Sequence, residues 1–359
     1  MDIRIEIPAG REALTEFIQF FDQVYGYREA RWTAEPEFQM PVFTGESPYA
    51  QGRRIRPFIA REHDHIVARA ASVVDERYIR HWNQNLGHIS MFEALPDSRR
   101  AVRLLMDKAC DWLRSQGMGA ARAGFHFGTF EMPFAIDEYE SLPPMMVRQN
   151  PAYYHSLLKD AGFESEKGWV DYKIKVVPEL ISRWEKAVED AERAGYEIVP
   201  WKDIEAKRRD KEMTDIMNES FRNHWGFSPM IEAEPSFMSA AFMPTGLLDT
   251  SLLAYRNGEA VGTLLVIPET SQHAVLKPGR MLRDSEKLNI LGIGIVESTR
   301  GKGVNLALAG YSFLELVRRG AKYVSYTLVY DDNWPSRRTG EKLGAYVCAN
   351  YMVYRRNFR

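Results

Sequence analysis

A short, basic, glycine-containing loop is the part of this sequence whose residue types and spacing are best suited to chemistry. It follows the apolar run 290–296, precedes an amphipathic helix pattern and consists of Arg300, Gly301, Lys302, Gly303, Val304 and Asn305. The first amides of a helix have no partner within the helix, and the helix dipole favours negative charge at that end. Because glycine lets a bound group approach the backbone closely, the pattern predicts a site for the phosphates of a cofactor.

The balance of charges and the cysteine content argue against several kinds of partner. The 359 residues carry 47 basic and 49 acidic side chains, a net charge of −2, without a long block of one sign. We therefore expect neither nucleic acid nor a membrane surface as a partner. Cys110 and Cys348 are far apart, and no cluster has the spacing of metal ligands, so we expect no metal and a reduced, cytoplasmic protein. No apolar run approaches the ~20 residues that span a bilayer, and the N-terminal residues lack the apolar core of a signal peptide.

The order of the predicted elements is the same in the two halves of the chain. In the C-terminal half the patterns predict strands at 196–201, 251–256, 260–268, 288–296, 323–330 and 346–355, and helices at 204–222, 304–319 and 335–343. In the N-terminal half they predict strands at 4–7, 55–61, 65–74, 87–95, 120–127 and 170–176, and helices at 12–25, 98–116 and 150–161. An offset of 203 residues places Gly117 on Gly320, and each of these glycines ends a long helix.

A duplicated α/β unit with a mixed sheet accounts best for this repetition, and two unrelated domains are the alternative. We expect an N-terminal unit at 1–176, a linking helix at 177–195 and a C-terminal unit at 196–359. Asn257-Gly258 predicts a hairpin turn in the second unit. The first unit has an insertion at 128–149 that we expect either to cover a substrate, to pack between the units or to be a simple surface excursion. It is rich in aromatic and acidic residues, among them Phe130, Glu131, Phe134, Asp137, Glu138, Tyr139 and Glu140.

The two halves differ at the loop before the long helix. At the offset of 203, Asp97 lies opposite Arg300 and Arg100 lies opposite Gly303, so the N-terminal loop has no glycine and carries an acid. Asp97 or Ser98 is typical of a helix N-cap. A capping carboxylate would occupy the amides that a phosphate needs. We therefore expect an anion site in the C-terminal half only.

The order strand, Arg-x-x-Gly-x-Gly/Ala loop, helix, strand, Asn and short helix ending in Leu-Gly resembles the GNAT superfamily of acyl-CoA N-acyltransferases. The residues that carry the resemblance are 294–303, Asp332-Asn333 and 341–344, with an N-terminal echo at 150–154 and 158–163. The chain resembles a tandem GNAT protein with a degenerate first copy. The fold this implies is α/β, with two GNAT-like domains in tandem.

The resemblance implies a place for each part of coenzyme A. The amides of 300–305 would hold the pyrophosphate, with Arg300 and Lys302 adding charge or Arg300 bracing the loop. Pantetheine would lie between the diverging strands 288–296 and 323–330, pairing with the backbone of Ile295 and Val296. Asn333 would lie near the pantetheine arm or the thioester.

Two residues depart from the pattern that the resemblance implies. The sixth loop position, usually small, is Asn305, which could narrow the approach of the pyrophosphate. The short helix usually carries a tyrosine that protonates the thiolate, and the matching residue here is Gly340. A proton donor must then come from another residue or from water.

Acyl transfer from a thioester to an amine needs a group that takes the amine's proton and donors for the carbonyl oxygen, whereas an acid helps the thiolate only modestly. Asp331 follows the second central strand and His224 lies in the aromatic loop 221–227, which the resemblance places at the acceptor. Tyr326 could donate to the thiolate. The alternatives are a helix cap for Asp331, a packed histidine for His224 and a core aromatic for Tyr326. Glu297 follows the first central strand at a position typical of solvent exposure.

We therefore predict an N-acyltransferase, most simply an N-acetyltransferase that uses acetyl-CoA and passes the acyl group directly to a small-molecule or peptide amine. The C-terminal half would be active, and the N-terminal half would wall off the acceptor site. A sensor that binds acyl-CoA without turnover is one alternative. A longer acyl chain, or an acyl carrier protein as donor, is another. The acceptor and the oligomeric state are left open.

Overall fold

The computed structural model describes residues 3–25, 36–125, 133–139, 150–245, 248–268 and 288–358. In these ranges the strands are β1 (Ile3–Glu6), β2 (Arg53–Glu62), β3 (His65–Asp75), β4 (Leu86–Ala94), β5 (Ala120–Phe125), β6 (Phe134–Ala135), β7 (Glu164–Lys175), β8 (Tyr196–Pro200), β9 (Leu252–Arg256), β10 (Glu259–Pro268), β11 (Leu288–Ile295), β12 (Tyr323–Tyr330) and β13 (Tyr346–Asn357). The α-helices are α1 (Gly10–Tyr25), α2 (Pro36–Thr44), α3 (Glu76–Trp82), α4 (Arg99–Ser115), α5 (Tyr154–Asp160), α6 (Pro178–Arg193), α7 (Ala206–Phe221), α8 (Ala233–Phe242), α9 (Val304–Arg318) and α10 (Trp334–Lys342).

These strands form one mixed sheet that runs through both halves of the chain. Its order is β1-β2-β3-β4-β5-β13-β7-β12-β11-β10-β9-β8, with β6 paired to β13. The pairs β4–β5 and β11–β12 are parallel, and each is followed on its outer side by an antiparallel run of strands. The predicted α/β fold with a mixed sheet and a repeated order of elements is confirmed.

Each half leaves a gap of one strand that the other half fills. Since β13 is antiparallel to both β5 and β7, the strands β5 and β7 run parallel with β13 between them. In the same way β12 and β13 run parallel with β7 between them. The final strand of each half therefore completes the backbone hydrogen bonding of the other half, and the sheet has no free edge at its centre.

Local sequence signals set the turns and helix ends of the C-terminal half. Asn257 and Gly258 both have positive φ, 53° and 80°, as the two-residue turn between β9 and β10 requires. Gly320 has φ 89° and follows α9, and the amide of Ala321 donates to Leu316 O at 3.0 Å. These contacts confirm the predicted hairpin and the predicted end of the long helix.

Helix α6 packs on α9 over the hydrophobic core of the C-terminal half. The Trp184 side chain is 1% exposed, and its ring lies 5.0 Å from the ring of Phe313. A Cβ at Gly310 would lie 3.1 Å from Trp184 O, so the two helices need the small residue at this crossing.

Every helix in the described part of the chain falls short of the length and apolarity of a membrane span.

The described part of the insertion packs against a strand from the C-terminal half. Within 133–139, β6 pairs with β13, and Phe134 is buried in the core of the N-terminal half. The Asp137 carboxylate accepts from the Asn350 amide at 2.7 Å. These contacts favour packing between the halves among the alternatives for this insertion. The other predicted members lie outside the described residues: Phe130, Glu131 and Glu140.

Three helices were not predicted from the sequence, namely α2, α3 and α8. Helix α3 begins after Asp75, whose carboxylate accepts from the amides of Arg77 and Tyr78 at 2.9 and 3.1 Å. An N-cap of this kind is a recognisable signal, but the seven-residue helix carries too little apolar periodicity to stand out. Strand β7 also begins at Glu164, six residues before the predicted start, because its first residues pair with β13.

We predict that neither half folds without the other. The fragments 1–194 and 195–359, each expressed alone, should give no cooperative thermal transition by circular dichroism, because each leaves the one-strand gap open. Expressed together, they should co-purify and melt as one unit, with the intact chain as the control. A fragment that melts cooperatively by itself would contradict the exchange of strands.

Candidate active site

The glycine loop lies open at the N-terminus of α9. Gly301 and Gly303 have φ 77° and 85°, a region that other residues adopt with strain. A Cβ at either glycine would meet no atom within 4 Å. Gly303 is the N-cap of α9 and makes no side-chain cap, so the first-turn amides at Val304 and Asn305 have no partner within the helix. The loop therefore offers amide donors to an anion.

The two cations of the loop bind backbone oxygens. Arg300 donates from Nε to Ile295 O at 3.2 Å and from Nη2 to Ser220 O at 2.9 Å. Lys302 donates from Nζ to Ser298 O at 2.9 Å. Both side chains belong to exposed residues. Arg300 thus braces the loop against the end of β11 and the end of α7, while both charges remain near the open amides.

The two parallel strands of the C-terminal half separate at their carboxyl ends. They pair only at Asn289↔Ser325 and Ile290↔Tyr326, although β11 continues to Ile295 and β12 to Tyr330. The separation is the diverging pair that the sequence resemblance implies. The separated ends lie on the side of the sheet from which the chain continues from β11 into the glycine loop.

Ile295 and Val296 present their backbones to opposite sides. The Val296 amide donates to Val261 O at 3.0 Å and its carbonyl accepts from Thr299 N at 3.1 Å, so both groups are already bonded. Because the polar groups of successive strand residues alternate in direction, Ile295 faces the separation between β11 and β12. Its carbonyl accepts from Arg300.

The two asparagines of the predicted cofactor site contact α10. Asn305 donates from Nδ2 to Thr339 Oγ1 at 3.2 Å, which turns its side chain toward that helix. Asn333 is the N-cap of α10, and its Oδ1 accepts from Ser336 N at 3.3 Å. The side chain of Asn305 therefore joins α9 to α10.

Tyr326 occupies the space next to the helix position that lacks a tyrosine. A Cβ at Gly340 would lie 3.1 Å from Tyr326 Cδ1. The hydroxyl of Tyr326 lies 2.9 Å from Ser336 Oγ, and burial raises the pKa of this tyrosine. The phenol therefore stays protonated at neutral pH and is able to donate a proton.

A polar cleft of about 230 Å³ lies between the end of α7 and the end of β11. It is lined by Glu219, Ser220, Arg222, Asn223, His224, Glu297 and Arg300. The Glu297 amide donates to Glu219 Oε1 at 2.9 Å, and Arg222 lies 3.8 Å from the Glu297 carboxylate. The sequence predicted His224 and Arg300 as site residues but not Glu219. The sequence feature that could have indicated Glu219 is its position in the last turn of the helix before the aromatic loop.

His224 is held in the neutral form at physiological pH. Its ring stacks on Tyr330, with centroids 4.2 Å apart, and meets the Phe221 ring edge-on at 5.1 Å. Burial, with a smaller contribution from the Lys167 charge, lowers the pKa of His224 to about 4. The imidazole is therefore neutral at physiological pH, and its lowered pKa makes it a weaker base than a solvent-exposed histidine.

Asp331 lies apart from the cleft. Its residue is exposed, and its carboxylate packs over Gly168, where a Cβ would lie 2.2 Å from Oδ2. The Asp331 carbonyl accepts from Arg337 Nη1 at 2.6 Å. The structure therefore brings together the glycine loop and His224, with Tyr326 on the neighbouring strand, but it does not bring Asp331 to the cleft.

The N-terminal half closes the corresponding strand end with tyrosines. Tyr154 Oη accepts from the Ala94 amide at 2.9 Å and donates to Glu93 Oε2 at 2.7 Å. Tyr153 donates to Ala94 O at 2.8 Å. The end of β4 thus has its polar backbone groups bonded within the protein.

The expected N-cap of α4 is wrong in its detail. Ser98 occupies the N-cap position, but its side chain makes no cap hydrogen bond and donates instead to Leu95 O at 2.6 Å. Asp97 has φ 62° in the turn before it. The first amides of α4 therefore receive no side-chain cap from Ser98. In the part of the chain that the structure describes, no group of three or more His, Cys, Asp or Glu side chains is placed to hold a metal.

Comparison of the sequence with known proteins gives a distant relative. No protein-family model matches the chain. A curated relative, a bacterial ceramide synthase of Caulobacter vibrioides, is 22% identical over 243 residues, which are 66% of this chain and 62% of the relative. The match thus spans less than two thirds of that protein.

Two solved structures cover nearly all of this chain. A tandem GNAT protein from the clavulanic acid biosynthesis pathway aligns with a TM-score of 0.58 at 10% identity, over 99% of this chain and 98% of that one. A GCN5-related glucosamine N-acetyltransferase region in a fungal multi-domain β-N-acetylglucosaminidase aligns at 0.59 and 13% identity, over 99% of this chain and 38% of that one. The chain therefore has the tandem GNAT fold.

Proposed function

We propose that this protein is an acyl-CoA-dependent N-acyltransferase whose cofactor binds to the C-terminal half. The observation that carries the proposal is the open glycine loop at the N-terminus of α9, beside the separation of β11 and β12. An anion at that loop would meet amide donors and the positive end of a helix dipole. The division of the chain into 1–176, 177–195 and 196–359 is part of the same proposal.

The contacts proposed for coenzyme A involve the backbone of the glycine loop and of the separated strands. The amides of Gly301 to Asn305 would hold the pyrophosphate. Ile295, whose backbone faces the separation between β11 and β12, would pair with pantetheine, whereas the backbone of Val296 is bonded to other groups. The Asn333 side chain caps α10. Asn333 would therefore lie near the thioester because of its position at the start of α10, and not because its side chain is directed there.

In the proposed reaction the amine nitrogen attacks the thioester carbonyl carbon, and the tetrahedral intermediate then expels the thiolate of coenzyme A. His224 is the better candidate to take the amine's proton, because it lines the cleft, whereas Asp331 lies outside it. Tyr326 is the candidate donor to the thiolate. Glu297 shares the cleft with His224 and is a second proton acceptor.

The acyl chain has two candidate lengths. An acetyl group is the simplest acyl group that the donor could carry. A fatty acyl donor is the second candidate, favoured by the relative that is a ceramide synthase, since ceramide is a fatty amide of a long-chain amino alcohol. The acceptor would accordingly be either a small-molecule or peptide amine or such an amino alcohol.

We also propose a cytoplasmic location, on the balance of charges and the reduced cysteines.

We expect amine-dependent release of free thiol from one of two donors, acetyl-CoA or palmitoyl-CoA. Each donor is incubated with the protein and a pool of amino acids, polyamines, peptides and sphinganine, and the amide product is identified by mass. The variant Gly303→Asp serves as the inactive control. Binding of the donor without thiol release across the whole pool would favour the sensor and contradict the transferase.

We expect Gly303→Asp to weaken coenzyme A binding by at least about 100-fold, because it adds a negative charge where the first-turn amides face the pyrophosphate. Gly303→Asn has the same shape and tolerates positive φ, so it should lose about tenfold or less. Calorimetry measures both affinities and the stoichiometry, which should be one cofactor per chain. Equal affinities for the two variants would contradict the loop assignment.

The neutral state of His224 predicts a pH-dependent contribution to stability. The folded protein keeps this imidazole neutral down to about pH 4, whereas the unfolded chain protonates it near pH 6.5. The contribution is thus complete above pH 6.5 and is lost as the pH falls toward 4. The unfolding free energy of the wild type minus that of His224→Gln should fall by about 2 kcal/mol between pH 7 and pH 5.

Urea unfolding at the two pH values measures this difference, and the carboxylates common to both proteins cancel. A difference that stays constant between pH 7 and pH 5 would show that the imidazole is not held neutral.

A further inference from the structure

The loop that lines the cleft is bonded along its length by one short helix of the N-terminal half. At its start, His81 Nε2 of α3 lies 2.6 Å from Arg222 O. Trp82 of the same helix donates from Nε1 to Phe227 O at 2.7 Å. A loop without a strand ladder must find partners for its carbonyls elsewhere, and α3 supplies them at Arg222 and Phe227.

A buried ion network fastens the far end of this loop. Arg77 of α3 donates to Pro229 O at 3.1 Å and to Glu234 Oε1 at 2.7 Å. Arg53 joins the same glutamate at 3.1 Å and Asp75 at 2.8 Å. The four charged side chains are at most 7% exposed.

Asp75 also accepts from Ser228 of the loop at 2.8 Å. Burial acts to raise the pKa of Asp75, but the Arg53 charge and the hydrogen bonds from Arg53 and Ser228 outweigh it and hold the pKa below its ordinary value. A buried carboxylate of this kind must keep its partners, because an unpaired buried charge is costly. The network therefore fixes 228–234 to the N-terminal half.

The opposite side of the loop rests on the central strands. Tyr330 donates its hydroxyl to Trp225 O, and its ring stacks on His224. Arg122 of β5 lies over the Trp225 ring at 4.0 Å, and Glu166 holds its guanidinium with two hydrogen bonds of 2.7 and 2.8 Å. The loop is thus held on one side by Tyr330 of β12 and on its other sides by residues of the N-terminal half.

We propose that the N-terminal half is the template for the acceptor loop, and that Arg77, His81 and Trp82 are positioning residues that set the shape of the cleft and hence the choice of amine. The proposal rests on the proposed function in one respect, since it takes the cleft as the place of the amine. On this proposal the N-terminal half, which binds no cofactor, contributes to the reaction by holding the acceptor loop in shape.

The double variant His81→Phe/Trp82→Phe tests the clamp. Phenylalanine keeps an aromatic ring at both positions, which preserves the contact of residue 81 with Phe227, but removes both hydrogen bonds to the loop. Arg80→Met is the matched control, since Arg80 lies on the same helix, is exposed and pairs only weakly with Glu76 at 3.8 Å. Where the double variant does not fold, as judged by its thermal midpoint, Trp82→Phe alone replaces it.

We expect amide hydrogen exchange in 222–229 to accelerate about tenfold or more in the double variant, because it loses both hydrogen bonds from α3 to the loop. The amides at the start of α9 and the affinity for coenzyme A should not change, and the control should match the wild type. The KM for the amine should rise about tenfold by the same loss, with a smaller change in kcat.

Unchanged exchange in 222–229 would overturn the proposal, whatever the activity. So would an equal fall in kcat and in coenzyme A affinity with the KM for the amine unaltered, since that pattern describes a general loss of structure. If the wild type turns over no amine, the proposed function fails, and the exchange measurement still decides whether α3 holds the loop.

Discussion

The missing strand at the centre of each half is the constraint on which the rest of this structure depends. Two parallel strands separated by the width of one strand leave two rows of amides and carbonyls that must be bonded. β13 fills the gap between β5 and β7, and β7 fills the gap between β12 and β13. Because the exchange is mutual, the orientation of the halves is fixed by backbone hydrogen bonds. That fixed orientation brings α3 of the first half against the loop that follows α7 of the second.

The same fold serves two different purposes in the two halves because a few side chains differ. In the first half, Tyr153 and Tyr154 bond the end of β4. In the second half, the end of β11 meets Gly301 and Gly303, which have no side chain to fill the space before α9. Closure by hydroxyls in one copy and openness through glycines in the other would leave one cofactor site per chain. The closed copy is then free to serve as a rigid support, which is how its helix α3 is used.

Patterns of neighbouring residues predicted most of the helices, strands and turns. The features that they did not predict depend on pairing between residues far apart in the sequence. Strand β12 is found at the predicted residues Tyr323–Tyr330, and the hairpin at Asn257 forms, because alternation and turn residues act within a few positions. The exchange of β7 and β13 could not be predicted, since either order of pairing buries the same faces. The cleft was only half predicted for the same reason. His224 was recognised by its aromatic neighbours, but Glu219 joins the site only because α7 packs closely over Gly294.

Gly340 and Tyr326 are best understood as one feature. A side chain at position 340 would press closely on the Tyr326 ring, since a Cβ there would lie 3.1 Å from Cδ1. The strand tyrosine reaches the same helix from the other side and meets it at Ser336. The absence of the helix tyrosine therefore coincides with the presence of a buried, protonated phenol beside the same position. Taken alone, Gly340 would favour a protein that binds acyl-CoA without turnover. Under the proposed function, the Tyr326 hydroxyl would serve as the proton donor that position 340 lacks, and the missing helix tyrosine would then not by itself favour a sensor.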